Sequence, residues 1–152
     1  MLLSVTLSLT ILFIILAFRT KSLHKIEVIT LIVFISNLLN EAFSMGGLNL
    51  GQIKTSDNMG SFLSFIIWCA ALIPAIMTWM IGMTLSLHTF LWKSVTIILA
   101  SFVLVVVEFA AEWGGMIEHH QLSIPGLLIF WFLVLLAVLI FQRFYSKLLK
   151  GV

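Results

Sequence analysis

Charged residues are scarce in this chain of 152 residues, which has 8 Lys and Arg and 6 Asp and Glu, or 9% charged in all. Soluble domains carry roughly a quarter, so a surface that faces water on all sides is excluded. There is one cysteine, Cys69, which excludes an internal disulfide bond. No basic run is mixed with aromatic residues outside the apolar segments, so nucleic acid is not expected as a partner.

What the chain has instead is long apolar runs, with 62% hydrophobic residues and a mean hydropathy of +1.23. Lipid offers the backbone no hydrogen bonds, and a helix satisfies its own. We therefore expect an all-α fold, a polytopic transmembrane bundle of five helices forming one domain over residues 1–152. The expected spans are roughly residues 2–18, 26–43, 62–87, 92–111 and 125–142. Pro74 should kink the third span.

Basic residues are distributed unevenly between the two sides that five alternating spans define. One side receives Arg19, Lys21, Lys25, Lys93, Arg143, Lys147 and Lys150, and the other receives only Lys54. Loops rich in Lys and Arg stay in the cytoplasm. The pattern predicts an N-terminus outside, a cytoplasmic C-terminus, and a multi-pass protein whose main partner is the lipid bilayer.

Polar residues recur at helical spacing on two spans. The second span carries Asn37, Asn40, Glu41 and Ser44 on one face, and the fourth carries Ser94, Ser101, Glu108 and Glu112. A charge within the hydrocarbon is costly, so we expect both stripes to face the bundle interior. Glu41 and Glu108 should then lie within about 8 Å of each other, sharing a proton or holding a cation.

The remaining spans give weaker signals. Thr78, Gly82 and Ser86 form a small face on the third span, which favours a helix-packing seam. The fifth span has no ionisable group, and its only polar atom in mid-membrane is the indole nitrogen of Trp131. We expect this span to be peripheral and to contribute only apolar contacts.

A divalent cation is the one cofactor that the polar residues suggest. The ligand or ion site consists of Glu41, Glu108, Asn37, Asn40 and Glu112, and the metal hypothesis uses Glu108, Glu112, Glu118, His119 and His120. Carboxylate and imidazole ligands suit zinc or manganese, and carboxylate with amide oxygen suits calcium or magnesium. The alternative is that Glu112, Glu118 and the histidines only solvate an outer loop, and that Glu41 and Glu108 only bond neighbouring helices.

Three functions fit these residues. The first is an accessory or ligand-binding membrane protein with an acidic polar site in the outer leaflet, acting as a homo-oligomer or with a membrane protein partner. The second is a small cation or proton transporter subunit that uses the paired glutamates. The third is a membrane-embedded hydrolase acting on a lipid-borne substrate, for which no nucleophile pattern is present and no catalytic residue is assigned.

Two short stretches carry a resemblance to a known group. They are Glu108 to Trp113 with Gly115, Ile117, Glu118 and His119, and the Asn40-Glu41 face before them. Here the chain resembles small five-span membrane proteins of spore-forming Gram-positive bacteria that have no assigned activity. The resemblance covers the second span and the last third of the chain. It implies a bacterial plasma membrane and no mechanism.

Overall fold

A computed structural model describes residues 2–44, 53–55, 58–119 and 123–151. The helices are α1 (Leu2–Arg19), α2 (Lys25–Glu41), α3 (Met59–Ile67), α4 (Ile73–Ser86), α5 (Phe90–Trp113) and α6 (Ile124–Lys150). The strands are β1 (Ile53–Thr55) and β2 (Ile117–His119). Together these elements form five helical segments long and apolar enough to cross a membrane. The prediction of an all-α fold with five such segments is confirmed at that level.

The third segment is continuous from Met59 to Ser86, with a π-helical turn at Trp68–Leu72 joining α3 to α4. Pro74 has no amide hydrogen, so an ordinary α-helix would leave a carbonyl of the preceding turn without its donor. In the π-helical turn before the proline, the Ile73 amide donates to the Trp68 carbonyl, five residues back rather than four. The sequence predicted a kink here, and the structure places a π-helical turn immediately before the proline.

The third segment also lies at the centre of the bundle, because half of its most apolar window is buried. Its α4 part packs against α1, α2 and α5. A Cβ atom added to Gly82 would clash with Thr20 Cγ2 and lie 3.3 Å from Leu23 Cδ1. The close approach agrees with the predicted packing seam at Thr78 and Gly82, which are both buried, whereas Ser86 is exposed.

Helix ends follow local signals. At the start of α2, His24 and Glu27 form a capping box in which the His24 amide donates to Glu27 Oε2 at 2.7 Å. The last helix, α6, continues to Lys150, past the predicted end near residue 142. Hydropathy marks where apolar residues stop, but Lys, Leu, Gln and Arg remain good helix formers in water.

Two connections between the spans are joined by a short antiparallel ribbon. Ile53 is registered with His119, Lys54 with Glu118 and Thr55 with Ile117. The sequence predicted a solvent-exposed loop over residues 45–60, and of that stretch residues 45–52 and 56–57 lie outside the described residues. The ribbon was not predicted, because strands of three residues carry no measurable periodicity.

The bundle therefore has two distinct ends. We call the end that holds β1 and β2 the ribbon end. The opposite end, the basic end, is formed by the turn after α1, the turn after α4 and the last turns of α6. Ser22 Oγ donates to the Gly82 carbonyl there, and Thr30 Oγ1 donates to the Tyr145 hydroxyl at 3.2 Å. Seven of the eight Lys and Arg residues lie at or near these turns.

Candidate functional site

Glu108 is the most deeply buried ionisable group that the structure describes, with 1% of its surface exposed. It lies on α5 among buried residues that include Ser101, Leu104 and Ala111. The serine and alanine leave room beside the glutamate, so a neighbouring helix can approach the carboxyl group. Ser101 takes no part in this polar site, since its hydroxyl donates to the Ile97 carbonyl of its own helix. The expected burial of the α5 stripe is confirmed at Ser101 and Glu108.

The partner of Glu108 is Trp131 on α6, whose indole Nε1 donates to Glu108 Oε2. Trp131 is fully buried, and an indole N–H can only donate, so the carboxyl oxygen is the acceptor. The expectation that the fifth span makes only apolar contacts is therefore wrong. Its predicted peripheral position is not contradicted, since 28% of its most apolar window is buried, less than in any other described span except α1, at 17%.

An aromatic cluster extends from the tryptophan through Phe130. Phe130 and Trp131 meet edge to face with ring centroids 5.2 Å apart, and Phe130 in turn contacts Phe43 at 6.3 Å. Phe43 also packs against Phe65 and Trp68. These rings connect the end of α2, the α3 segment and α6. Phe130, which packs directly against the Trp131 indole, is thus itself packed against a ring cluster that the other two elements supply.

The turn after α5 carries the chain from Glu108 to the ribbon. Gly115 has a φ of +69°, and the amides of Gly115 and Met116 donate to the carbonyls of Glu112 and Ala111. These bonds form a Schellman motif, which favours glycine because other residues are strained at positive φ. Met116 and Ile117 are buried directly after it, so the turn fixes where β2 begins.

The polar stripe of α2 has the opposite placement. Asn37, Asn40, Glu41 and Ser44 are all exposed, and the buried face of the helix consists of Val28, Leu31, Ile35 and Leu39 with Glu27. The prediction that this stripe faces the bundle interior is wrong. Periodicity had identified which residues share a face, but the large aliphatic residues on the other face pack inward. Glu41 and Glu108 thus do not form the buried pair that was expected.

The metal hypothesis finds no ligand group in the part of the chain that the structure describes. There, no three His, Cys, Asp or Glu side chains lie close enough to hold an ion. Glu112 is half-buried one turn after Glu108, and Glu118 is exposed on β2. His120 and the side chain of His119 lie outside the part of the chain that the structure describes. A metal site that uses these histidines stays a prediction.

The sequence did contain the signal for the Glu108 partner. Trp131 has the only polar side-chain atom in the middle of the fifth span, and Glu108 is the only carboxylate in the middle of the fourth. Within lipid, both the indole N–H and the carboxyl group need a hydrogen-bond partner. Because the two groups lie on consecutive spans, a hydrogen bond between them could have been expected. What the sequence did not indicate was that a residue usually found at membrane interfaces would be buried in the core.

Comparison with protein-family models, curated proteins and solved structures gives no match for this chain. The resemblance to small five-span proteins of spore-forming bacteria therefore gains no support beyond the span count. The helices define the class of protein, an integral membrane protein with five helical segments that are long and apolar enough to span a membrane.

Proposed function

We propose that the chain is an accessory membrane protein that binds the helix of another membrane protein through the exposed polar stripe of α2. The observation that carries this proposal is the exposure of Asn37, Asn40 and Glu41 on a helix of membrane-spanning length. Asn37 lies about 18 Å along the axis from Lys25, well inside a hydrocarbon core of about 30 Å. Polar groups at that depth almost always face protein or a water-filled cavity.

The exposed face of α2 changes character along its length, which supports the same conclusion. Its half at the basic end exposes Ile26, Ile29 and Val33, as a lipid-facing helix does. Its half near the ribbon end exposes Asn37, Asn40 and Glu41 instead. Amide and carboxyl groups between membrane helices form hydrogen bonds worth about 0.6 to 2 kcal/mol each. The second half is suited to a protein partner and the first half to lipid.

A different protein suits this stripe better as a partner than a second copy of the same chain does. A symmetric dimer built on this stripe would bring residues near its two-fold axis against their own copies. Glu41 would then approach the Glu41 of the other copy, and like charges at close range are destabilising. A helix that offers hydrogen-bond donors to Glu41 and amides to the two asparagines avoids this repulsion.

Transport and hydrolysis have less support. Both relied on Glu41 and Glu108 facing each other as a buried pair, and the exposure of Glu41 removes that argument. Glu108 has a local role as acceptor for the Trp131 indole. We further propose the orientation given by the basic residues, with the basic end in the cytoplasm and the ribbon end outside.

The test is photo-crosslinking in the membranes of the native host, with a benzophenone amino acid at Asn37 and, as matched control, at Ile29 on the same exposed face. The Asn37 probe should give one protein adduct and the Ile29 probe only lipid adducts. Asn40→Leu with Glu41→Leu should abolish that adduct, because both changes remove its polar contacts. Adducts at a multiple of 17.1 kDa would identify a second copy instead. Only lipid adducts at Asn37 would refute the proposal.

A further inference from the structure

Two cavities meet on α6 at the basic end of the bundle. The first, of 370 Å³, lies between α5 and α6, and its wall is apolar apart from Ser94 and Arg143. The second, of 620 Å³, is lined by polar side chains that include Ser22, Ser146 and Lys147. Arg143 and Ile140 line both cavities. An apolar space and a polar space thus share one wall, with a guanidinium group at the junction.

The apolar space continues toward the ribbon end. A third cavity, of 220 Å³, shares Ile98 and Phe132 with the first and extends to Leu128. Between Arg143 and Leu128 the helix rises about 22 Å. One leaflet of the hydrocarbon core is about 15 Å thick. The groove between α5 and α6 is therefore long enough to hold an acyl chain that starts at the level of Arg143.

The charge of the polar cavity is positive. Arg143 and Lys147 are four residues apart and so lie on one face of α6, and none of the described residues that line the three cavities is acidic. A carboxylate, Glu27, lines an adjoining cavity that shares Ser146. Glu27 accepts the His24 amide in the capping box of α2, so it already has a partner.

We propose that this groove binds one anionic glycerophospholipid. Its phosphate diester is held by Arg143 and Lys147 in the polar cavity, and one acyl chain lies between α5 and α6. A guanidinium group and a phosphate form paired hydrogen bonds. A zwitterionic lipid carries a second, cationic group, and the cavity offers no carboxylate to receive it. The site therefore selects lipids with a net negative charge. It does not include the exposed polar stripe of α2.

The experiment is a native mass spectrometry titration of the purified full chain with phosphatidylglycerol and with phosphatidylcholine of identical acyl chains. Phosphatidylglycerol should bind the wild-type protein at least tenfold more tightly. Each basic residue near an anionic lipid surface increases affinity about fivefold. The double variant Arg143→Gln with Lys147→Gln should therefore lower the affinity for phosphatidylglycerol about thirtyfold. The matched control, Lys21→Gln with Lys25→Gln, removes the same charge at the same end and should change binding less than twofold.

A second variant tests the groove independently of charge. Ser94→Phe places a ring in the apolar cavity and leaves the basic residues in place. It should lower the affinity for both lipids at least tenfold. Equal binding of the two lipids by the wild-type protein would mean unselective boundary lipid and would overturn the proposal. So would an equal loss in the Lys21 and Lys25 control, which would indicate bulk electrostatics. Competition by water-soluble glycerol phosphate at the same concentration as the lipid would assign the site to a free phosphate.

Discussion

The polar stripes of α2 and α5 both recur at helical spacings, but they have opposite environments. On α5 the stripe is buried at Glu108, where the Trp131 indole supplies a donor. On α2 the stripe is exposed at Asn37, Asn40 and Glu41. The difference lies in the neighbours: small residues beside Glu108 admit α6, whereas large aliphatic residues occupy the inner face of α2. A polar stripe on a membrane helix thus indicates that its side chains need hydrogen-bond partners. The neighbouring residues on that helix determine whether the partner lies in the same chain or in another protein.

The largest effect is expected from removing the internal partner. Trp131→Phe keeps a ring in the aromatic cluster but deletes the indole donor, leaving a buried carboxyl oxygen without that hydrogen bond. Leaving a buried polar group without its hydrogen bond costs about 1 to 3 kcal/mol, so the free energy of unfolding should fall by about 2 kcal/mol. Reversible unfolding in mixed detergent micelles, followed by circular dichroism, measures it.

The control for this change is Trp113→Phe, because Trp113 is 94% exposed at the end of α5. Its unfolding free energy should change by about 0.5 kcal/mol or less. Equal losses from the two tryptophan changes would show that the Glu108 bond contributes nothing. The comparison between a buried and an exposed polar stripe would then have to be explained by packing alone.

A smaller loss is expected from Gly82→Ala, which tests the steric fit between α4 and the turn after α1 at the basic end. The new Cβ would clash with Thr20 Cγ2, so α1 and α4 must separate or Thr20 must move. Overpacking costs about 1 to 3 kcal/mol, and we expect about 1 kcal/mol here because the clash is with a side chain that can move. Gly60→Ala is the control, since its Cβ would meet nothing closer than 3.4 Å. A destabilisation by Gly60→Ala equal to that of Gly82→Ala would argue against the close approach.

A double-mutant cycle measures the interaction between Glu108 and Trp131 directly. Glu108→Gln retains a carbonyl oxygen that can accept the indole N–H, so alone it should cost about 1 kcal/mol, less than Trp131→Phe. Combined with Trp131→Phe, it should show a coupling energy of about 1 kcal/mol, as contacting residues do. Strict additivity of the two changes would mean that the two side chains do not interact in the folded protein.

The smallest effect on the isolated protein is expected on α2. Asn37→Leu replaces an exposed polar group by one that lipid and detergent solvate well, and its unfolding free energy should change by about 0.5 kcal/mol or less. The same variant should lose the association described under the proposed function. A loss of 2 kcal/mol or more in the isolated protein would show that Asn37 has an internal partner after all.

The five spans were predictable because each apolar run is long and the connections hold most of the charged residues. The burial of Glu108 was predictable from the cost of charge in lipid. The direction of the α2 stripe was not, because periodicity defines a face without defining what opposes it. The role of Trp131 was missed because its indole nitrogen was treated as an isolated atom rather than as a donor opposite a carboxylate in the preceding span.

The ribbon between β1 and β2 has a consequence for the order of assembly. Its strands are separated by roughly sixty residues that contain α3, α4 and α5. Pairing two strands so far apart in sequence has a large loop-closure entropy cost. That cost falls once the helices between the two strands have formed and packed. During synthesis β2 does not exist until four spans have been made, so the ribbon closes after them. Protection of the β1 amides from hydrogen exchange would therefore report, in a nascent chain, that the first four spans have reached their final arrangement.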